Sequence, residues 1–330
     1  MNKKIAKHSD TLLIIPIYNG YSSILRTLAS LRKQKGFRFD ILLIDNGGND
    51  LPKIKKRWPN LNYLSPKHNI GHAGAQYLGA KIALHYKYDY VIFSVQDVVL
   101  VNEEALYSMK KALEEDTSLG GVIPVPYSRV KSIDQLPVYI EGAIFCYFFV
   151  KVAALRRSGL HNRNLFIYGE DAELSYRLRN HYRLAKIPKA QYFLSSTGPG
   201  TLGNSYSFFV LRGLLYVAIV APEIRLKYRL HVFYYFCLKC LQILMSAIQF
   251  NDSSYFDTLV LAIYGAFHLK LDLRSRLRPN RYYLAEIRSK PKTAILLTSH
   301  SLLRKVRYYF VRKTRRQKIY YELRQNEKHV

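Results

Sequence analysis

The chain has 330 residues, enough for one large domain or for a domain with a substantial appendage. About half of it (49%) is hydrophobic, which excludes general disorder, and the formal net charge of +28 directs attention to phosphate-rich partners: nucleic acid, an anionic membrane face or a phosphorylated substrate. Three cysteines are too few for a disulfide framework, so a reducing, cytosolic compartment is expected.

The N-terminal MNKKIAKHSD is basic and leads into an apolar run, but Leu12 to Ile17 is too short for a signal peptide and contains Pro16. That run is expected to be a first β-strand. An amphipathic helix over Ser22 to Gln34 follows, then the strand FDILLIDN, a basic segment containing Trp58, and LNYLSPKHN. Trp58 is read as a packing residue. Gly74 to His85 is expected to be helical and Val91 to Val95 a buried strand. Asn102 is placed as the cap of a helix running to Glu115, with Glu103 and Glu104 favouring its positive end. GGVIPVPYS reads as a short strand. This β-α-β alternation predicts a mainly parallel sheet with helices on both faces and ligands at the carboxyl ends of its strands. The polar residues there are Tyr18-Asn19, Asp45-Asn46 and Gln96-Asp97.

The texture changes after about residue 205. YSFFVLRGLLYVAIVAP and LHVFYYFCLKCLQILMSAIQF are apolar but interrupted by Arg212, Lys239 and Gln242, short of an unbroken span of roughly 20 residues, so amphipathic helices are expected. They either pack on the sheet domain or lie in a membrane interface. Arg212 calls for a partner, an acid or a substrate phosphate. Cys237 and Cys240 have redox or zinc spacing without a second ligand pair, and read as two thiols on an apolar helix. Residues 270–330 hold 18 Lys and Arg against 4 Asp and Glu, half of the whole excess charge, mixed with aromatic residues. That is a peripheral-membrane composition, although RNA would be attracted too; no nucleic-acid-binding motif accompanies it.

Two stretches carry chemistry. In LFIYGEDAELSYRLRN the acids Glu170, Asp171 and Glu173 follow a glycine and open an amphipathic helix. Acids there either complement the helix dipole or, facing a cleft, deprotonate a hydroxyl attacking an electrophile. In VIFSVQDVVL a strand ends on the single carboxylate Asp97. His68 and His72 flank the glycine loop NIGHAGAQ and are read as surface histidines; the TGPGT loop, 197–201, is either a donor-closing flap or an ordinary connection.

Taken in order, IPIYNG, LLIDNGG, NIGHAGAQYLG, VIFSVQDV and FIYGEDAELSYRLR resemble the inverting family 2 glycosyltransferases. More narrowly they resemble the rhamnosyl- and galactofuranosyl-transferase-like enzymes of bacterial surface polysaccharide synthesis. The resemblance covers roughly residues 11 to 215. It implies an α/β GT-A fold, a Rossmann-like mixed sheet over residues 1–205, with a basic, mainly helical region over 206–330 for the acceptor and the membrane surface. It assigns Pro16, Tyr18 and Asn19 to the loop lining the nucleotide base and Asp45 to the base edge. Asn69, Gly71 and Gln76 fall near the donor, as does Gln96 beside Asp97. Asp97 matches the second acid of an Asp-x-Asp motif, the one that reaches a metal, and Asp171 the general base, with Glu170 supporting it or the acceptor.

The implied reaction moves a sugar from a nucleotide-diphosphate donor to a hydroxyl of a lipid-linked glycan, with inversion, at the inner face of the cell membrane. Two departures bear on the cofactor. Val95 stands where relatives have their first acid, and QYFLSSTGPGT offers Ser195 and Ser196 where relatives often have a metal-binding His. Manganese or magnesium on Asp97 alone, leaving-group charge held by basic residues or a helix end, and a silent, scaffolding relative are the three readings this leaves.

Overall fold

The computed structural model describes residues 5–129, 136–141, 146–195, 203–221, 223–249 and 254–273. The chain divides into two compact units, Met1–Gly198 with Pro222–Tyr228, and Pro199–Ala221 with Arg229–Val330.

The first unit is built on one sheet. Strand β1 (Thr11–Ile17) is buried along its whole length, as a seven-residue apolar run in the middle of a sheet must be. It pairs in parallel with β2 (Asp40–Asp45) on one side and β4 (Tyr90–Ser94) on the other, and β2 pairs in parallel with β3 (Asn62–Leu64). The crossovers are α1 (Tyr21–Arg32), α2 (Leu51–Arg57) and α3 (Gly71–His85).

Beyond β4 the sheet departs from the mainly parallel reading of the alternation and takes the mixed form that the resemblance implies. β8 (Tyr147–Lys151) runs antiparallel to both β4 and β6 (Leu119–Pro126). β9 (Arg183–Leu194) is parallel to β6 but antiparallel to β5 (Val98–Leu100) and β7 (Val138–Ile140). The order is β3-β2-β1-β4-β8-β6-β9-β5, with β7 on β9. This mixed sheet is sandwiched: one core layer gathers Leu13, Ile15, Leu28, Ile92, Phe149 and Met109, the other Leu12, Ile14, Phe93, Val150 and Leu174. The alternation of β1 between the two layers is the period-two geometry of a strand.

Three local expectations are corrected. Asn102 does not cap α4 (Ala105–Glu115): its Oδ1 accepts from Gln191 N at 3.1 Å, tying the loop to β9. The free amide of Leu106 at that helix start is satisfied by Gln34 Oε1 at 3.0 Å. α3 begins three residues earlier than expected, at Gly71, and this puts His72 in its first turn, mostly buried, instead of on a surface loop.

The second unit contains α7 (Gly203–Leu215), a π turn over Tyr216–Val220, most of α8 (Leu226–Gln249) and α9 (Ser254–Leu273). Leu211, Leu215, Phe236, Ile243, Ala262 and Ala266 form its core. Arg212 is 2% exposed, with its guanidinium 4.9 Å from the Phe209 ring centre and 5.5 Å from that of Phe208. Among the described residues no helix is long and apolar enough to cross a membrane.

Candidate active site

Four strand ends and two helix starts build the site. After β1 the chain turns through Asn19 (φ 50°) and Gly20 (φ 92°). Gln96, beyond β4, holds this turn with both ends of its amide: Oε1 accepts from Tyr18 N at 2.9 Å and Nε2 donates to Tyr18 O at 3.3 Å. Its own carbonyl accepts from Thr27 Oγ1 at 2.9 Å. Gln96 therefore fixes the rim, and its amide is engaged by the backbone of Tyr18.

After β2, Asp45 is 9% exposed and its Oδ1 accepts from Gly47 N (3.1 Å) and Gly48 N (3.2 Å), a tight Asx turn. The Gly48 and Asn19 loops touch: a Cβ on Gly48 would lie 2.6 Å from Asn19 N. Ile17, Asn19, Asp45, Gly48, Asp50 and Gln96 enclose a narrow recess there. Pro16 is buried within β1 opposite Ile44, behind this recess.

The glycine loop forms the next wall. Asn69 Oδ1 accepts from Gly71 N at 2.8 Å, and Asn46 Nδ2 donates to Gly71 O at 3.2 Å. Gly71 has φ 72°, and a Cβ on it would lie 2.4 Å from Phe166 O. The same carbonyl accepts from Ala73 N at 2.9 Å, so the start of α3 is fastened to the loop that precedes α6 (Glu170–Leu178). That loop is unusual: Phe166 and Tyr168 both have φ 62° and Gly169 has φ 91°. Two non-glycine residues in the left-handed region are strain held by surrounding contacts.

Side chains close the seam. His72 Nε2 lies 3.9 Å from Glu170 Oε1 and 2.6 Å from Gln76 Nε2. Burial pushes the His72 imidazole down to about 4, so it is neutral near pH 7. His161, 2% exposed and edge-on to Phe93 at 4.4 Å, is likewise held well below its ordinary value by burial, then by the charge of Arg177. Gln76 and Glu170, 2% and 4% exposed, thus sit in a layer behind the cleft surface. One turn further along α6, Glu173 Oε1 accepts from Arg177 Nε at 2.6 Å and Oε2 from Nη2 at 2.8 Å. Burial raises Glu173 against the opposing pull of Arg177, and Arg177 also donates to the carbonyls of Ser158 and Leu160. Buried charges require this full satisfaction.

Asp97 and Asp171 remain half-exposed at the cleft. Asp171 Oδ1 accepts from Ala172 N at 2.8 Å in the first turn of α6. Asp97 O accepts from Ser195 N at 2.8 Å, tying the metal-type turn to the end of β9. Cys146 directly precedes β8, and its backbone oxygen accepts from Val95 N at 3.1 Å. Burial raises its thiol to about 11, Tyr192 opposes this through a hydrogen bond, and the charges of Asp97 and Asp171 both add to it. One thiol thus experiences both carboxylates. No sequence signal marked Cys146, because only the antiparallel β4/β8 pairing brings it beside Val95, two residues before Asp97. The His72 to Gln76 spacing of four residues was legible as one helix face, but not its meeting with Glu170.

Among the described residues no group of three or more His, Cys, Asp or Glu could hold a metal ion. The protonated thiol of Cys146 is no ligand for a hard cation, and Val95 packs against the core. Asp97 offers one carboxylate, so a cation would take its other ligands from a bound diphosphate and water. Ser195 is described and lies at the end of the β9 segment; Ser196 and the 197–201 loop lie outside the described residues.

Residues 12–157 match the family model for glycosyl transferase family 2. No curated protein matches the chain by sequence. Among solved structures, the mannosyltransferase PcManGT from Pyrobaculum calidifontis, in complex with GDP-Man and Mn2+, is 14% identical with a TM-score of 0.52; the match covers 82% of this chain and 91% of that one. S. aureus TarS 1–349 is 15% identical with a TM-score of 0.53, over 83% and 92% of the two chains. TarS 1–349 in complex with UDP-GlcNAc matches at 12% identity and a TM-score of 0.52, over 81% and 92%. These likenesses agree with the mixed sheet and establish the GT-A fold.

Proposed function

From the premise that the chain belongs to glycosyl transferase family 2 through residues 12–157, we propose that it transfers a sugar from a nucleoside-diphosphate donor to an acceptor hydroxyl with inversion, Asp171 acting as general base. The observation that supports this reading is the match of residues 12–157 to the family model, together with Asp97 in the turn after β4 and Asp171 in the first turn of α6. The nucleotide base would sit against Tyr18, Asn19 and Asp45, and the donor along Asn69 and Gly71. Pro16, Gln76 and Gln96 support that surface from behind, and Glu170 supports the base from the seam with His72.

In the step itself the acceptor oxygen bonds to the anomeric carbon as its proton passes to Asp171. The bond from that carbon to the diphosphate oxygen breaks on the opposite face, and the electron pair leaves with the nucleoside diphosphate. A divalent cation on Asp97, when bound, would neutralise the charge on that leaving group. The complexes of PcManGT with GDP-Man and of TarS with UDP-GlcNAc support a nucleotide-sugar donor. The acceptor is proposed to be a lipid-linked glycan at the inner face of the cell membrane. The charge of residues 270–330 supports that location. The domain assignment proposed is residues 1–205 for transfer and 206–330 for acceptor and membrane association.

Asp171→Asn tests the reaction. Release of nucleoside diphosphate from a panel of nucleotide sugars, in the presence of membrane extract, should fall about a hundredfold or more, while nucleotide binding stays. Val95 and the lone Asp97 favour a second reading, a silent scaffold subunit of a polysaccharide-assembly complex. Equal release by wild type and variant would favour it.

A further inference from the structure

The helix α8 has two apolar faces. Val232, Phe236 and Ile243 point into the core of the second unit, and they are 3%, 8% and 4% exposed. On the other side Leu226, Leu230, Phe233, Tyr234, Leu238, Leu241 and Met245 are 39–65% exposed. Their spacings of 4, 3, 1, 4, 3 and 4 residues, at about 100° per residue, keep them within one arc of roughly 140°. Cys237 falls inside the same arc and is also exposed. A helix apolar on every side is ordinarily buried on every side, and a continuous exposed stripe of this length marks a surface that is covered in use.

The charge around it selects the cover. The helix sequence LKYRLHVFYYFCLKCLQILMSAIQ contains four basic residues, counting His231 apart, when Arg225 just before it is included, and no acid. Lys227 lies at the N-terminal end of the arc, 61% exposed in its side chain, with its Nζ 3.7 Å from Glu141 Oε2. A second copy of the chain would bring another +28 against this face, and self-repulsion opposes that. The sequence of residues 274–330 is strongly basic too, and the sequence of α8 holds no carboxylate to complement it. A bilayer with anionic headgroups answers both features, taking Leu, Phe and Met side chains among its acyl chains and Lys and Arg at the phosphates. Tyr234 fits the same boundary, with an apolar ring and a polar tip.

We infer that α8 is an interfacial membrane-binding helix whose Leu226–Met245 face inserts into anionic lipid. The inference rests on the proposal above that the protein works at a membrane, and it names the element that inserts. It separates two contributions. Basic residues elsewhere provide attraction that salt screens, and the α8 stripe provides burial that salt does not screen.

The test is co-sedimentation of the full chain with vesicles of phosphatidylglycerol and phosphatidylcholine, at low and at high salt. Leu230→Glu with Leu241→Glu is compared with wild type; both positions are exposed, so the core is untouched. Wild type should bind, with a salt-resistant fraction, and the double variant should lose that fraction, its partition at high salt falling about tenfold or more. Equal salt-resistant binding by the variant would overturn the assignment of α8 while leaving membrane association standing. Failure of wild type to bind any vesicle would overturn both. Light scattering supplies the remaining control: a wild-type dimer that the double variant converts to a monomer would show that a second copy covers the face, and would also overturn the inference.

Discussion

Gly71 shows how little freedom single residues have around the cleft. Its φ of 72° and the 2.4 Å approach of Phe166 O to a Cβ in that place exclude any side chain without local rearrangement. Gly71→Ala should therefore destabilise the protein by about 2 kcal/mol or more, read as a lower urea midpoint, because strain in that region costs about 1–3 kcal/mol even before the clash. The residue was legible in the sequence as part of a glycine loop, but its reason was not. The carbonyl it must clear belongs to Phe166, and nothing local links the two positions. Gln96 is a similar case. Its place beside Asp97 pointed to the donor, and the structure engages its amide with the backbone of Tyr18. Asp97 and Asp171, by contrast, were readable as strand-end and helix-start acids, because those positions depend on local pattern alone.

At the scale of elements, the seam between α3 and α6 has a pH signature. His72 is lowered by burial, so the unfolded chain takes up a proton below its ordinary value of 6.5 that the folded chain refuses until about 4. A base whose folded value is depressed loses stability as pH falls through that window. From pH 7 to pH 5 the loss from His72 is about 2 kcal/mol, and His161 acts in the same direction. His72→Phe should flatten the fall in melting temperature between these two pH values. An unchanged slope would place the sensitivity elsewhere. Strand β9 shows why some elements escape a sequence reading. Its burial runs in steps of three from Arg183 to Gln191, exposed then twice buried, and its pairing with β6 shifts register twice, between Leu119 and Gly121 and between Pro124 and Val125. A bulged strand containing Pro188 and three lysine or arginine residues gives no period-two signal. β1, β2 and β4 were legible because central parallel strands are apolar on both faces.

For the whole molecule, binding of donor nucleotide should appear as global stabilisation, since the recess joins the ends of β1, β2 and β4. One among UDP, dTDP, GDP and CDP should raise the melting temperature, by an amount that grows with the logarithm of its concentration. Manganese should add to that rise, and Asp97→Asn should remove the increment while leaving the metal-free part. A rise indifferent to manganese in the wild type would assign the leaving-group charge to protein groups instead. The fold class was readable at this scale from alternation and ordered motifs. The mixed half of the sheet was implied by the resemblance and not by the alternation, since β8 and β9 pair across separations in sequence that pattern alone does not encode.

The position of Cys237 on the outward stripe of α8 carries a practical consequence in redox terms. Its sulfur is exposed, whereas Cys146 is largely shielded and its thiol is kept protonated well above neutral pH. Air oxidation during purification should join two chains through Cys237 and spare the shielded Cys146. A dimer that disappears on adding a thiol reductant would then report storage history, and Cys237→Ser protein gives the cleaner starting material for every vesicle measurement.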